Sequence, residues 1–148
     1  MANRWDSAVR LPSGLLADVA WAKFDESTQS ELSLAQHLVD AAEVAGYLWR
    51  HWIPEHIKER VASAAGGDAA GGALVSWLAG VHDCGKLSPA FAHQIAARGG
   101  GAVLARMRDV GLAYRGQPPT PSQAPHSTLG QLAPVSYTHL TLPTKRIV

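Results

Sequence analysis

The feature that most constrains the fold is a run of apolar residues at helical spacing that ends in a short polar sequence. The apolar positions recur at intervals of three, four and seven residues, which is the periodicity of an α-helix; they are Leu74, Trp77, Leu78 and Val81. A His-Asp-Cys-Gly-Lys sequence follows at residues 82–86. We expect Gly85 to end the helix in a left-handed conformation. His82 and Asp83 are therefore expected to leave the last helical turn next to the core.

Capping and breaking residues predict further helices on both sides of this run. Ser33 followed by Gln36 is a capping-box signature, and the helix that it opens is expected to run from about Leu34 to Trp52. Pro54 ends that helix, because proline lacks the amide proton and disfavours helix at the preceding residue. No strand pattern is found before residue 135, so the fold class is predicted to be all-α, a helical bundle. The remaining helices are expected at residues 55–65, after Ser88-Pro89, around residues 103–107 and after His126.

Length and composition indicate a globular protein. The 148 residues are enough for one domain with a core, and 47% of them are hydrophobic. No apolar run is long enough to span a bilayer and the N-terminus lacks a signal-peptide pattern, so we expect no membrane partner and a cytoplasmic location. Cys84 is the single cysteine, which excludes an internal disulfide and a thiolate zinc cage. Any bound metal would therefore use nitrogen and oxygen ligands.

Charge is unevenly distributed along the chain. Residues 1–83 carry six Lys or Arg and eleven Asp or Glu, whereas residues 84–134 carry five Lys or Arg and one Asp. A cationic segment beside a metal-type site fits a phosphate-bearing substrate. From charge alone, a solvated helical face is the more common explanation.

The polar residues on the apolar helices are candidates for a metal site. His82 and Asp83 offer a neutral nitrogen and a charged oxygen, which suit a divalent ion. His37 lies within the apolar stripe of the helix that begins near Leu34; a lone inward histidine is more often a hydrogen-bonded core residue, but two inward polar sites on neighbouring helices can converge. Asp40 has two open interpretations, to orient the imidazole of His37 or to lie at the solvent edge. His126, after a proline-rich loop, on its own predicts an exposed loop histidine.

Three motifs occur in order along the chain. They are Trp21-Ala22-Lys23, residues 36–45 running into Leu48-Trp49, and residues 81–91 with the sequence Val-His-Asp-Cys-Gly-Lys-Leu-Ser-Pro-Ala-Phe. Together they resemble the HD nuclease domain, specifically the N-terminal HD domain of the CRISPR-associated nuclease-helicase of type I interference systems. The resemblance covers about residues 15–134, and three motifs in order are far more specific than a His-Asp pair alone.

The resemblance implies a helical domain that binds one or two divalent ions (Mn, Fe, Ni, Co or Mg) and cuts single-stranded DNA. It implies His37, His82 and Asp83 as ligands of a first metal, with Asp83 bridging to a second. His126 matches, by position, a second-metal ligand. Asp83 and Lys86 are the implied catalytic residues, Lys86 by stabilising the negative charge that develops during cleavage. The implied partners are single-stranded DNA, the RNA-guided CRISPR surveillance complex and a helicase module on the same or a separate chain.

The domain organisation follows from the same comparison. Residues 1–14 are expected to be a flexible lead-in and residues 15–134 a partial HD nuclease domain. Residues 135–148 are interpreted as an adaptor-derived tail, since this strand-like segment has no partner in an all-α chain and resembles a translated sequencing-library adaptor. The family pattern continues beyond His126 with a histidine pair and a final aspartate that do not follow here, and helicase motifs are absent. We therefore expect an incomplete domain that lacks full activity.

Two other functions share some of these features. An HD-family phosphohydrolase acting on nucleotides has the His-Asp pair without the context of Trp21-Ala22-Lys23 and Ser88-Pro89-Ala90-Phe91. In a non-catalytic helical remnant the pair is structural. Comparing hydrolysis of nucleotides and of single-stranded DNA separates the first alternative, and folding that is independent of metal favours the second.

Overall fold

The computed structural model describes residues 16–113, 116, 120 and 122–131. The expected lead-in at residues 1–14 and the segment 135–148 lie outside the described residues, as does part of the proline-rich loop. Within the described residues, helices dominate and the predicted all-α fold class is confirmed. No helix in this part of the chain combines the length and the apolar character needed to cross a membrane.

The elements follow one another with short connections. A first turn of helix leads into a β-hairpin, three longer helices follow, and a series of short helices and 3-10 turns completes the fold. The helices and strands are α1 (Leu16–Val19), β1 (Trp21–Asp25), β2 (Ser30–Ser33), α2 (Leu34–His51), α3 (Glu55–Ala65), α4 (Asp68–Val81), α5 (Pro89–Ala92) and α6 (Gly101–Asp109). Two 3-10 segments lie at Cys84–Leu87 and His93–Arg98, and residues 126–131 are helical.

The β-hairpin is the one departure from the all-α expectation among the described elements. Strands β1 and β2 pair antiparallel with Trp21 opposite Ser33 and Lys23 opposite Leu32, and the register shifts between Trp21 and Lys23. The expectation that no strand occurs before residue 135 is therefore wrong here. Each strand is only four or five residues long, and the shift interrupts the alternation by which a strand is recognised from sequence.

The predicted boundaries of α2 and α3 are confirmed. Ser33 accepts a hydrogen bond from the Gln36 backbone nitrogen at 3.2 Å, as an N-cap residue should. The Gln36 side chain donates to Asp40 at 2.6 Å instead of returning to the cap, so half of the capping box forms. Pro54 lies between the two helices, and as the N-cap residue of α3 it has extended backbone dihedrals.

Helix α4 packs on α2 and α3 through its small residues. A β-carbon built on Gly72 would lie 2.9 Å from Trp49 Cδ1, and one on Gly71 would lie 3.0 Å from the six-membered ring of the same indole. The large apolar residues Leu74, Trp77 and Leu78 lie away from this contact, because the Trp49 indole packs against the glycines of α4. The exposed fractions of the stripe are large, namely 39% for Leu74, 50% for Trp77 and 51% for Leu78.

The main core lies between the hairpin, the start of α2 and the segments after α4. Its largest fully buried side chains are Leu34, Ile95 and Met107. Ser88 caps α5 as predicted, by accepting from the Phe91 nitrogen. The predicted helix around residues 103–107 is also confirmed as α6. This core supports the turn that carries the His-Asp pair.

The turn after α4 differs from the expectation for Gly85. Helix α4 ends at Val81, and Gly85 lies within the 3-10 segment Cys84–Leu87. Its φ is not positive, whereas Gly66, Gly67, Gly99 and Gly111 do have positive φ. The left-handed helix end predicted at Gly85 is therefore wrong, because the chain tightens into a 3-10 turn instead of reversing its hand.

Candidate metal centre

Helices α2 and α4 bring three ligand-type side chains together. The Nε2 atom of His37 lies 2.9 Å from Asp83 Oδ2, and Nε2 of His82 lies 3.2 Å from the same oxygen. The two imidazole rings are 5.3 Å apart between centroids. One ligand atom from each of these three residues lies within 4.8 Å of the others. Residues from two separate parts of the sequence thus form one cluster.

A glycine on α4 allows the close approach of the two helices. A β-carbon built on Gly80 would lie 3.3 Å from the β-carbon of Ala42 and 3.8 Å from the backbone oxygen of Leu38. Leu38 directly follows His37, and Gly80 lies two residues before His82. The helices therefore come close at the level where both imidazoles leave the backbone.

The hydrogen bond at the second ring nitrogen of His82 suits a ligand role. Its Nδ1 atom lies 2.6 Å from the backbone oxygen of Ala79. Because a carbonyl oxygen can only accept, Nδ1 is the nitrogen that donates to Ala79, which leaves Nε2 as the nitrogen suited to bind a metal. Metal-binding histidines commonly donate their other ring nitrogen in this way. Nε2 is the ring nitrogen that faces Asp83.

Lys86 ties the Asp83 carboxylate to the β-hairpin. Its ammonium lies 2.7 Å from Asp83 Oδ2 and donates to the backbone oxygen of Ala22 at 3.2 Å. The Lys86 residue is only 8% exposed, so its charge requires such partners. The predicted catalytic residue therefore contacts the predicted ligand directly, and its catalytic role stays a prediction.

The surroundings of Asp83 favour its ionised form. Burial raises the pKa of this carboxyl, but the hydrogen bonds from Lys86 and His37 and the nearby positive charges outweigh burial and hold the pKa below its ordinary value. The carboxylate is thus available as a charged oxygen ligand near neutral pH.

His126 approaches the same carboxylate from its other oxygen. Its Nε2 atom lies 3.8 Å from Asp83 Oδ1, while His37 and His82 face Oδ2. The side chain is 38% exposed, so the interpretation as an exposed loop histidine is only partly correct. Asp40 is exposed and accepts from Gln36, which agrees with its solvent-edge interpretation.

The chemistry of the donor set fits a divalent transition ion. Two imidazole nitrogens and one carboxylate oxygen suit Mn, Fe, Co or Ni, whereas Mg prefers oxygen ligands throughout. The neighbouring Cys84 is outside this group of ligands, and burial and then the charge of Asp83 raise the pKa of its thiol. Its sulfur instead donates to the backbone oxygen of Gly130 at 3.4 Å.

Several groups that support the site have no role that the sequence predicts. The backbone oxygens of Ala22 and Ala79 hold Lys86 and His82, and a sequence pattern contains no signal for such oxygens. Trp21 and Phe91 stack with ring centroids 4.4 Å apart beneath the site. Both aromatic residues occur in the motifs that define the resemblance, so their position in those motifs was the available signal.

Comparison with known proteins shows the family to which the chain belongs. The family model described as "Cas3, HD domain" matches residues 21–144, a range that includes much of the segment 135–148, whose adaptor origin stays a prediction. A protein described as "CRISPR-associated nuclease/helicase Cas3", from Streptococcus thermophilus, is 37% identical over 83 residues, which cover 52% of this chain and 9% of that protein. No solved structure matches. Since the family model spans most of the sequence, the chain belongs to the Cas3 HD domain family.

Proposed function

We propose that this chain is a metal-dependent phosphodiester hydrolase domain that cuts single-stranded DNA in CRISPR antiviral defence. The observation that carries the proposal is the convergence of His37, His82 and Asp83 within 4.8 Å in a chain of the Cas3 HD domain family. The relative from Streptococcus thermophilus has nuclease and helicase in its description, which supports DNA as the substrate class.

His37, His82 and Asp83 are the residues that would hold the metal. When bound, a divalent ion supplies Lewis acidity that activates water and neutralises phosphate charge. Lys86 keeps the carboxylate oriented through its 2.7 Å contact with Oδ2. We further propose that its positive charge stabilises the negative charge that builds up on the phosphate during cleavage.

The two oxygens of Asp83 support a proposal for a second ion. Because His126 faces Oδ1 and the other two histidines face Oδ2, Asp83 is suited to bridge two ions. His126 is the proposed ligand on the second side. The chain contains no Asp or Glu after Asp109, so the segment that carries His126 offers no carboxylate ligand for the second ion. We therefore expect weak second-ion binding and slow cleavage by this chain alone.

The proposed partners follow from the family. They are single-stranded DNA, the RNA-guided CRISPR surveillance complex and a helicase module on the same or a separate chain, in the cytoplasm. The cationic residues of the second half include Arg98 and Arg106, which are about half exposed although they lie near Glu26 and Glu31. Such surface arginines can exchange a carboxylate partner for a backbone phosphate at small cost.

The test compares substrates on the full 148-residue chain. Labelled single-stranded DNA, duplex DNA and nucleotides are incubated with Mn²⁺ or with a chelator, using wild type, His82→Ala and the control His51→Ala. The proposal expects Mn²⁺-dependent cleavage of single-stranded DNA that His82→Ala abolishes and His51→Ala retains, since His51 is exposed on α2. Hydrolysis of nucleotides alone would instead favour a phosphohydrolase. No hydrolysis together with no thermal shift in Mn²⁺ would favour a non-catalytic module.

A further inference from the structure

A buried aromatic ring lies between the β-hairpin and the candidate metal centre. Phe91 is 5% exposed, and its ring stacks on Trp21 with centroids 4.4 Å apart and planes inclined by 22°. The ring of His126 meets it edge-on at 5.1 Å and 64°. The Lys86 ammonium lies 5.5 Å from the Phe91 centroid. One ring therefore contacts two of the groups that surround Asp83.

The local sequence holds this ring in place. Ser88 caps α5 and Pro89 occupies its first turn, so the backbone before Phe91 has little freedom. Trp21 is 2% exposed and covers the ring from the hairpin side. The Arg98 guanidinium lies 5.9 Å from the Trp21 ring. Phe91 is thus packed against Trp21 and cannot turn away from His126 without opening the core.

His126 depends on contacts other than Asp83 for its orientation. The 3.8 Å separation between His126 Nε2 and Asp83 Oδ1 is too long for a hydrogen bond. An edge-to-face contact with an aromatic ring is a favoured arrangement and restricts the imidazole. Lys86 differs, because hydrogen bonds to Asp83 and Ala22 already orient it. Among the histidines near Asp83, His126 is therefore the one that the Phe91 ring can orient.

We propose that Phe91 is a positioning residue that orients the His126 imidazole toward Asp83 Oδ1. This inference rests on the proposed function in one respect, because the proposed function makes His126 a ligand of the second metal ion. The orientation itself is a property of the folded chain and can be measured without metal.

The first measurement is NMR on the metal-free full chain with labelled histidine and phenylalanine. We expect a nuclear Overhauser effect between the Phe91 and His126 rings in wild type. Phe91→Leu keeps an apolar side chain but removes the ring, so it should shift the His126 ring signals and leave those of His37 and His82 in place. Met107→Leu, at a fully buried position of the same core, should shift none of the three. Absence of the wild-type effect overturns the inference, and this result needs no variant.

The second measurement is a Mn²⁺ titration of wild type, Phe91→Leu, His126→Ala and His82→Ala. Phe91→Leu is expected to weaken the same binding step as His126→Ala, by about tenfold or more, as loss of an outer support of a ligand does. The step lost in His82→Ala should persist in Phe91→Leu. Wild-type affinity at every step in Phe91→Leu contradicts the inference alone. If wild type binds no Mn²⁺, the proposed function fails, and the ring contact seen by NMR decides the inference.

Discussion

Gly85 packs against the carbonyl oxygen of His126 so closely that no side chain fits between them. A β-carbon at Gly85 would overlap that oxygen and would lie 2.5 Å from the Gly130 backbone nitrogen. Gly130 is itself close to the backbone oxygen of His82, at 3.0 Å from a β-carbon built on it. Two glycines thus allow the helix of residues 126–131 to lie directly on the turn that carries the His-Asp pair. This contact brings His126 near Asp83.

The variant Gly85→Ala is predicted to displace this helix. Both obstacles are backbone atoms, so no side-chain rotation can relieve the overlap, and we expect a loss of about 1–3 kcal/mol in unfolding free energy. Urea unfolding measures the loss, and the His126 ring signals in NMR report the displacement. Gly101→Ala is the matched control, because nothing lies within 4 Å of a β-carbon there. Equal stability of Gly85→Ala and wild type would contradict the contact.

The packing of α4 predicts an unusual order of mutational effects. Leu78 is 51% exposed, so Leu78→Ser should change the unfolding free energy by no more than about 0.5 kcal/mol. Gly72→Ala places a methyl group 2.9 Å from the Trp49 ring and should cost about 1–3 kcal/mol. Chemical denaturation of both variants measures this difference. A larger loss in Leu78→Ser than in Gly72→Ala would mean that the apolar stripe is buried after all.

Metal binding through His37 and His82 is predicted to stabilise the folded chain. At a Mn²⁺ concentration of a hundred times the dissociation constant, the folded state should gain about 2.7 kcal/mol. His37→Ala and His82→Ala each remove one of three ligand atoms and should lose most of that gain, while the exposed His51→Ala should keep it. Calorimetric titration and thermal unfolding with and without Mn²⁺ provide the test. Retained stabilisation in both ligand variants would exclude this cluster as the metal site.

Ionised Asp83 is predicted to make the unfolding free energy of the metal-free chain depend on pH in the acidic range. Its pKa in the folded chain lies below the ordinary value of 3.8, so the unfolded chain binds the proton first as the pH falls. The stabilisation from ionised Asp83 is therefore fully present above this ordinary value and is lost as the pH falls through the lower folded pKa. The difference in unfolding free energy between wild type and Asp83→Asn should be constant near neutral pH and should shrink below about pH 4. If this difference in unfolding free energy grows as the pH falls, ionised Asp83 does not stabilise the folded chain and the proposed ion pairing of Asp83 is wrong.

Lys86 is predicted to contribute to stability as well as to the site. Lys86→Met fills similar space but leaves the Ala22 oxygen without its donor and removes a hydrogen bond from Asp83, so we expect a loss of about 2 kcal/mol. Lys23→Met, at an exposed position of the same hairpin, should be within about 0.5 kcal/mol of wild type. Equilibrium unfolding without metal compares the two. Equal effects would show that the Lys86 contacts do not hold the hairpin to the turn.

Local sequence was sufficient to predict most helices of the described chain. The boundaries of α2 and α3 depend on Ser33 and Pro54, and α5 depends on Ser88 and Pro89, because caps and prolines act on the backbone within one turn. The place of His82 and Asp83 at the end of α4 follows from the helical spacing of the apolar residues that ends at Val81. The sequence predicts His37 as a partner of this pair because two inward polar sites on neighbouring helices can converge.

Long-range packing determined the features that the local signals missed. The buried face of α4 depends on the Trp49 indole of another helix, so hydrophobicity alone does not identify it. The hairpin forms because two short strands satisfy each other's backbone groups, and neither strand shows this alone.

The sequence by itself determined the helical elements, the His-Asp pair and, through motifs in order, the family. Only the tertiary structure decided that His126 faces the second oxygen of Asp83, that Lys86 joins Asp83 to the Ala22 backbone, and that Phe91 lies against His126. The physical reason is that capping and periodicity act over a few residues. Contacts between distant segments instead depend on shape, such as the space left by Gly85 and Gly130, which becomes defined only when the segments pack.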